Sequence, residues 1–339
     1  MDTEVWRVLL AALRSADRRV PRTGRRPTYT DALIVKLYLW SVGHDRPLCW
    51  ACDRRHYNRI FRPRQLPSVS QFTRRVKTVR VTQLLDAVHR YLTRTDKPVA
   101  LAFLDGKPLP VSFCSHDPDA RVGWATKGFA KGYKLHACAT RDGRIPAFAV
   151  RPMNEGEAKV ARLRLPPVAE ATLILADANY DTRHLYQVLG ARGQQLLTPL
   201  KRIAVNPGPL RRMGPHRRFA LALHQQLGAA YRTLLEPRAQ IERIFAALTS
   251  FGGGLTALPP WVRRLDRVTR WVSAKISAAE ARSVSRQRRG REVTKSSLGE
   301  VPWLSQPQWK SWTKRVPRSS KRRASRQLLA KATLPGSVP

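Results

Sequence analysis

The stretch Pro98-Val99-Ala100-Leu101-Ala102-Phe103-Leu104-Asp105-Gly106 is an unbroken apolar run that ends on a carboxylate and a glycine. Such a run predicts a buried central strand, and open α/β sheets place their chemistry at the carboxyl ends of strands. The pattern recurs in Ala171-Thr172-Leu173-Ile174-Leu175-Ala176-Asp177, continued by Ala178-Asn179-Tyr180-Asp181. Two strands are therefore expected to aim a carboxylate at one edge. The chain has 63 Lys and Arg against 23 Asp and Glu, so acids kept beside buried strands ask for a function, and metal binding is the natural one.

The charge balance points outward as well. A net charge of +40 over 339 residues implies a polyanionic partner, nucleic acid first. The amino terminus carries Asp2 and Glu4, and Arg7 and Arg14 interrupt its apolar positions, unlike a signal peptide. No apolar stretch reaches the roughly 18 residues of a membrane span, and a soluble intracellular protein is expected. Cys49 and Cys52, with His56 nearby, lack the second pair that a structural zinc site uses, and read as small buried residues on a helix. Cys114 and Cys138 fall in predicted strands.

Before Pro98 the pattern is helical. Helices are predicted over 3–15 with Thr3 as N-cap, from Thr30-Asp31 to Gly43, and over 49–57. Ser68 can cap a further helix with Val69, Phe72, Val76 and Val79 inside. Its outer face offers Gln71, Arg74, Arg75 and Lys77, the form of a helix that enters a major groove. After Pro98, strands and helices alternate. Gly132 to Thr140 and Ile145 to Val150 form a hairpin turned at Asp142-Gly143. Glu157 to Leu165 reads as a helix, followed by the Asp177 strand, a helix over 182–192 and a strand over 195–198. This order is that of an RNase H-like α/β fold, a mixed sheet flanked by helices. Lys201 to Arg218 reads as a basic loop, and Trp261 to Ala281 as a last amphipathic helix.

Glu236-Pro237 opens a helix that runs through Arg238 and Glu242 to Thr249. The residue before proline is pushed out of the α region, so Glu236 is expected outside the helix as a cap. Glu242 flanks the stripe Ile241, Ile244, Phe245, Leu248, with Arg238 one turn earlier. Two strand-end aspartates and a helical Glu can together hold two Mg2+ ions roughly 3.5–4 Å apart for in-line phosphoryl displacement.

From about Pro98 to Arg282 the chain resembles the catalytic domain of DDE transposases of bacterial insertion sequences. The resemblance rests on Leu104-Asp105-Gly106, on Asp177-Ala178-Asn179-Tyr180-Asp181, on Arg238 four positions before Glu242, and on Gly132-Tyr133-Lys134-Leu135-His136. Leu235 and Thr249 stand where many members carry Tyr and Lys. The interval from Asp177 to Glu242 (242 − 177 = 65) leaves no room for the large β-rich insertion of some relatives. The resemblance implies Asp105, Asp177 and Glu242 as catalytic metal ligands for two Mg2+, with Mn2+ able to substitute. It also implies phosphate or DNA contacts from Arg238, Lys134 and His136. The partners implied are double-stranded DNA, both element terminal inverted repeats and target, and a second copy of the chain, in the bacterial cytoplasm with the nucleoid. The expected organisation is a helical, helix-turn-helix-like DNA-binding domain over 1–96, the RNase H-like catalytic domain over 97–282, and a basic tail over 283–339 without the pattern to order itself. A structure-specific nuclease of the same fold, or a DNA-binding protein with a decayed centre, are the alternatives.

Overall fold

The computed structural model describes residues 2–288 apart from 23, 25–26, 59–60, 96–98, 127, 166–167, 169–171, 201–212 and 252. The starts of both Asp-bearing runs at Pro98 and Ala171, most of the basic loop after Lys201, and the tail beyond 288 lie outside the described residues.

Ten helices and six strands are described: α1 Thr3–Arg19, α2 Asp31–Gly43, α3 Val69–Arg75, α4 Val79–Thr93, β1 Leu101–Pro110, β2 Arg121–Ala125, β3 Gly128–Thr140, β4 Ala147–Pro152, α5 Glu157–Leu163, β5 Leu173–Ala176, α6 Arg183–Ala191, β6 Gln195–Leu197, α7 Pro215–Leu227, α8 Ala230–Leu235, α9 Ala239–Ser250 and α10 Leu265–Arg288. The sheet runs β2-β3-β1-β5-β6, with β4 also paired to β3. β1 and β5 are parallel neighbours, with Leu104 opposite Ala176, while β1 and β3 are antiparallel, with Asp105 opposite Ala137. This mixed sheet with its flanking helices is an RNase H-like α/β fold.

Both Asp-bearing runs became the central strands because their side chains are apolar on both faces; Ala102, Phe103, Leu175 and Ala176 are all buried. β1 does not stop at Asp105. Gly106, Lys107 and Pro108 stay in register with His136, Leu135 and Lys134, since a long partner strand overrides their weak β propensity.

The amino-terminal helices share their core with the end of the chain. α10 packs against α1, α2 and α4 as well as β4, and the described residues cluster as one compact unit. Three polar contacts fasten this arrangement. Glu280 of α10 accepts from Ile145 N at 2.8 Å, and His89 of α4 meets Ile145 O at 2.8 Å, so both helices grip the β3–β4 turn. Lys275 of α10 reaches Asp45 at 2.6 Å beyond α2. Burial pushes the Glu280 carboxyl up to about 8.

Several local expectations shift. Asp2, not Thr3, caps α1, with its side chain accepting from Glu4 N. Residues 48–56 form two 3-10 turns instead of a helix, with Cys49 exposed, and Cys114 lies in an exposed turn outside any strand. Ser68 and Gln71 form the capping box that starts α3, but a turn separates α3 from α4, and Val69 and Val79 are exposed. α7 begins at Pro215, inside the stretch expected as loop, because Pro fits the first turn of a helix. Glu236 has α-region dihedrals and opens a 3-10 turn over Glu236–Arg238; the preceding α8 carries the chain into Pro237 in helical conformation and outweighs the steric preference. α10 extends to Arg288, past the expected start of the tail. No helix among the described residues is long and apolar enough to cross a membrane.

Candidate active site

Parallel pairing of β1 and β5 brings Asp105 and Asp177 to one edge, because each directly follows the paired residues Leu104 and Ala176. Asp105 accepts from Gly106 N at 2.8 Å. Asp177 caps the 3-10 turn Ala178–Tyr180, accepting from Asn179 N at 2.8 Å and from Asn179 Nδ2 at 3.2 Å. The two carboxylates are thus fixed by main chain and by one amide, not by cations.

A third carboxylate joins them that the sequence reading did not single out. Glu157, the first residue of α5, accepts from Lys134 Nζ at 2.9 Å, and both side chains are nearly buried. Its other oxygen lies 3.5 Å from Asn179 Nδ2, so Asn179 stands between Asp177 and Glu157. Gly106 is small for this reason: a Cβ there would meet Glu157 Oε1 and Lys134 Cδ at 2.9 Å. Burial, and then the charges of Asp177 and Glu157, push the Asp105 carboxyl up to about 6 against the Gly106 N–H and Arg238.

Arg238 lies on the 3-10 turn before α9, and α9 packs against β1. Its charge acts on Asp105, while its guanidinium reaches Glu242 Oε1 at 3.5 Å. The buried face of α9 is Ile241, Ile244, Phe245 and Leu248, and the phase of the helix leaves the Glu242 side chain 62% exposed. Asp105 and Asp177 are brought together; Glu242 sits one turn beyond the arginine that faces them.

The remaining expected contacts divide. Lys134 is at the site but spent on Glu157. His136, opposite Gly106, is fully buried, and neither ring nitrogen has a partner among the described residues. Burial lowers it to about 3 and holds it neutral, so it is closed to a phosphate in this structure. The Tyr180 hydroxyl is likewise buried and unpartnered among the described residues, with Glu157, Asp105 and Asp177 all raising its pKa after burial itself. On α3, Gln71 is used in the capping box and Arg75 pairs with Asp31 at 2.5 Å, while Arg74 is exposed.

The donor set fits a hard divalent cation in part. Asp105 and Asp177 offer carboxylate oxygens at adjoining strand ends, and the negative charge around Asp105 is what such an ion would neutralise. Among the described residues, however, no three His, Cys, Asp or Glu side chains converge closely enough to hold a metal ion, in keeping with the outward turn of Glu242.

A family model described as the transposase DDE domain matches residues 100–272, half of the chain, and takes in Asp105, Asp177, Arg238 and Glu242. No curated protein and no solved structure matches the chain.

Proposed function

Because the chain belongs to the DDE transposase-domain family, we propose that it cleaves DNA at the ends of an insertion sequence and joins the freed 3′-hydroxyl to target DNA. The observation that carries this reading is the pair Asp105 and Asp177 at the ends of adjacent parallel strands, with Arg238 acting on the same edge. Asp105, Asp177 and Glu242 are the residues that would hold metal. Two divalent ions, Mg2+ with Mn2+ able to substitute, supply when bound the activation of the attacking hydroxyl and the neutralisation of the leaving oxygen.

The chain itself supplies position and charge. Arg238 binds and orients the scissile phosphate through its guanidinium. The Lys134–Glu157 pair and Asn179 hold the wall of the site against Asp177. Glu242, unhindered by packing, stands within one helical turn of the phosphate that Arg238 would hold. In cleavage, water attacks phosphorus and the 3′-oxygen leaves; in transfer, that 3′-hydroxyl attacks a target phosphodiester and a target 3′-hydroxyl leaves. Each step forms one P–O bond and breaks one. Exposed Arg74 and Lys77, on and just after α3, are offered to the terminal repeats. Joining two ends calls for a homodimer, working with the nucleoid in the bacterial cytoplasm.

A second reading puts Glu157 in the third acidic place. It is favoured by one observation: the charge of Glu157 is among the causes that raise the Asp105 carboxyl.

The test uses pre-cleaved ends from the DNA flanking the coding sequence, a supercoiled plasmid and Mg2+. Joined products support a transposase. Cleavage of uncut ends without any joining supports the nuclease alternative, and neither product refutes the proposal.

A further inference from the structure

The β2–β3 hairpin reaches past the rest of the sheet. β3 faces β1 over 132–140 and β4 over 133–138, but residues 128–131 are in strand register only with β2. Backbone bonds from elsewhere end at Val111 N to Lys131 O and Met153 N to Gly132 O, so beyond them the hairpin is a two-stranded ribbon. β1 runs from Asp105 towards Pro110, the partner of Gly132, so the ribbon continues outward from the edge that carries Asp105 and Asp177.

Its two faces differ. Gly123 lies against main chain: a Cβ there would stand 2.3 Å from Met153 O. On the other face the register places Val122 opposite Lys131 and Trp124 opposite Phe129. Trp124 and Phe129 are 61% and 70% exposed and meet edge to face with centroids 5.4 Å apart. Large aromatic side chains paired in the open on a ribbon mark a surface that meets a partner.

Phe129 lies an even number of residues from Ala137, the partner of Asp105, so the aromatic pair shares the sheet face of Asp105 and meets what that face binds. On the Gly123 face, at the root of the ribbon, a cleft of about 370 Å³ is lined by Arg121, Arg151, Lys159 and Arg164 with Glu155 as its acid. Glu155 is engaged by Arg151 at 2.6 Å, which leaves the other cations facing the cleft without a carboxylate among its lining residues. A chain with net charge +40 draws in a polyanion.

We propose that the ribbon is a DNA-contacting arm in which Trp124 and Phe129 insert at a base step. The inference rests on the transposase reading. Two-stranded ribbons fit a DNA groove, and apolar wedges enter base steps. From Ala137, the partner of Asp105, to Phe129 is eight residues along β3, roughly 26 Å at about 3.3 Å per residue. At about 3.4 Å per step, the contact falls about eight base pairs from the scissile phosphate.

The experiment uses the full chain with flanking-DNA duplexes that carry single 2-aminopurines at successive positions from the cleavage site. The wild type should raise the fluorescence near position eight. Trp124→Ala should lose that signal and bind about tenfold more weakly, Trp124→Phe should keep most of both, and melting temperature should not move because the ring is exposed. If the wild type cleaves the DNA but every position stays silent and Trp124→Ala binds normally, the inference is overturned and the transposase reading stands. Loss of a dimer in sedimentation with unchanged DNA affinity would also overturn it, in favour of a chain-to-chain contact. If the wild type neither cleaves nor joins these ends, the reading beneath it fails and the inference falls with it.

Discussion

Asp105→Asn should make the metal-free protein more stable. The folded state raises this carboxyl from 3.8 to about 6, chiefly by burial and then by Asp177 and Glu157. The folded chain therefore binds the proton more tightly than the unfolded one, and ionising Asp105 costs stability. The cost is absent below about pH 4, grows as pH rises towards 6, and is complete above about 7. Two units at about 1.4 kcal/mol each give roughly 3 kcal/mol at most. Asn removes the charge but keeps an oxygen for the Gly106 N–H. In urea unfolding with EDTA at pH 7.5, Asp105→Asn should gain about 1–3 kcal/mol, with most of the gain gone at pH 4. A variant less stable than wild type at pH 7.5, or a gain that ignores pH, would refute the electrostatic account of the site.

Further outcomes follow from the same geometry. Glu242→Gln should abolish cleavage with Mg2+ and leave the melting temperature unchanged, since the side chain is exposed; a cleaving Glu242→Gln beside a dead Glu157→Gln would transfer the third acidic role to Glu157. Gly123→Ala should lower stability by about 1–3 kcal/mol in thermal melting, because the atom it meets is main chain and cannot swing away. Affinity for any duplex should fall steeply with salt, log K losing about 0.9 per decade for each phosphate neutralised, and a flat salt profile would argue against a backbone-binding surface.

What the sequence disclosed follows from how local each signal is. The Asp105 and Asp177 strands were legible because burial on both faces writes an unbroken apolar run, and their parallel pairing placed the acids together as expected. The Ser68 cap was legible because its partner Gln71 is three residues away. Glu157 was not, since its role depends on Lys134, which lies 23 positions earlier; the available signal was a lysine inside the otherwise buried stretch Tyr133 to Thr140, which needs a carboxylate somewhere. The outward turn of Glu242 depends on helix phase, and a charged residue beside an apolar stripe fits either side of the boundary. The packing of α10 on α1, α2 and α4 was hidden for the same reason as Glu157: Lys275 and Glu280 find Asp45 and Ile145 more than a hundred residues away.

The most direct test of the central claim is cleavage of flanking DNA by the wild type, Asp105→Asn and Asp177→Asn, in Mg2+ and in EDTA, with DNA binding measured on the same samples. The wild type should cleave only with the metal, and both variants should bind at least as tightly as wild type yet leave the DNA uncut. Cleavage in EDTA, or by either variant at the wild-type rate, would contradict the assignment of Asp105 and Asp177 as the metal-binding catalytic pair.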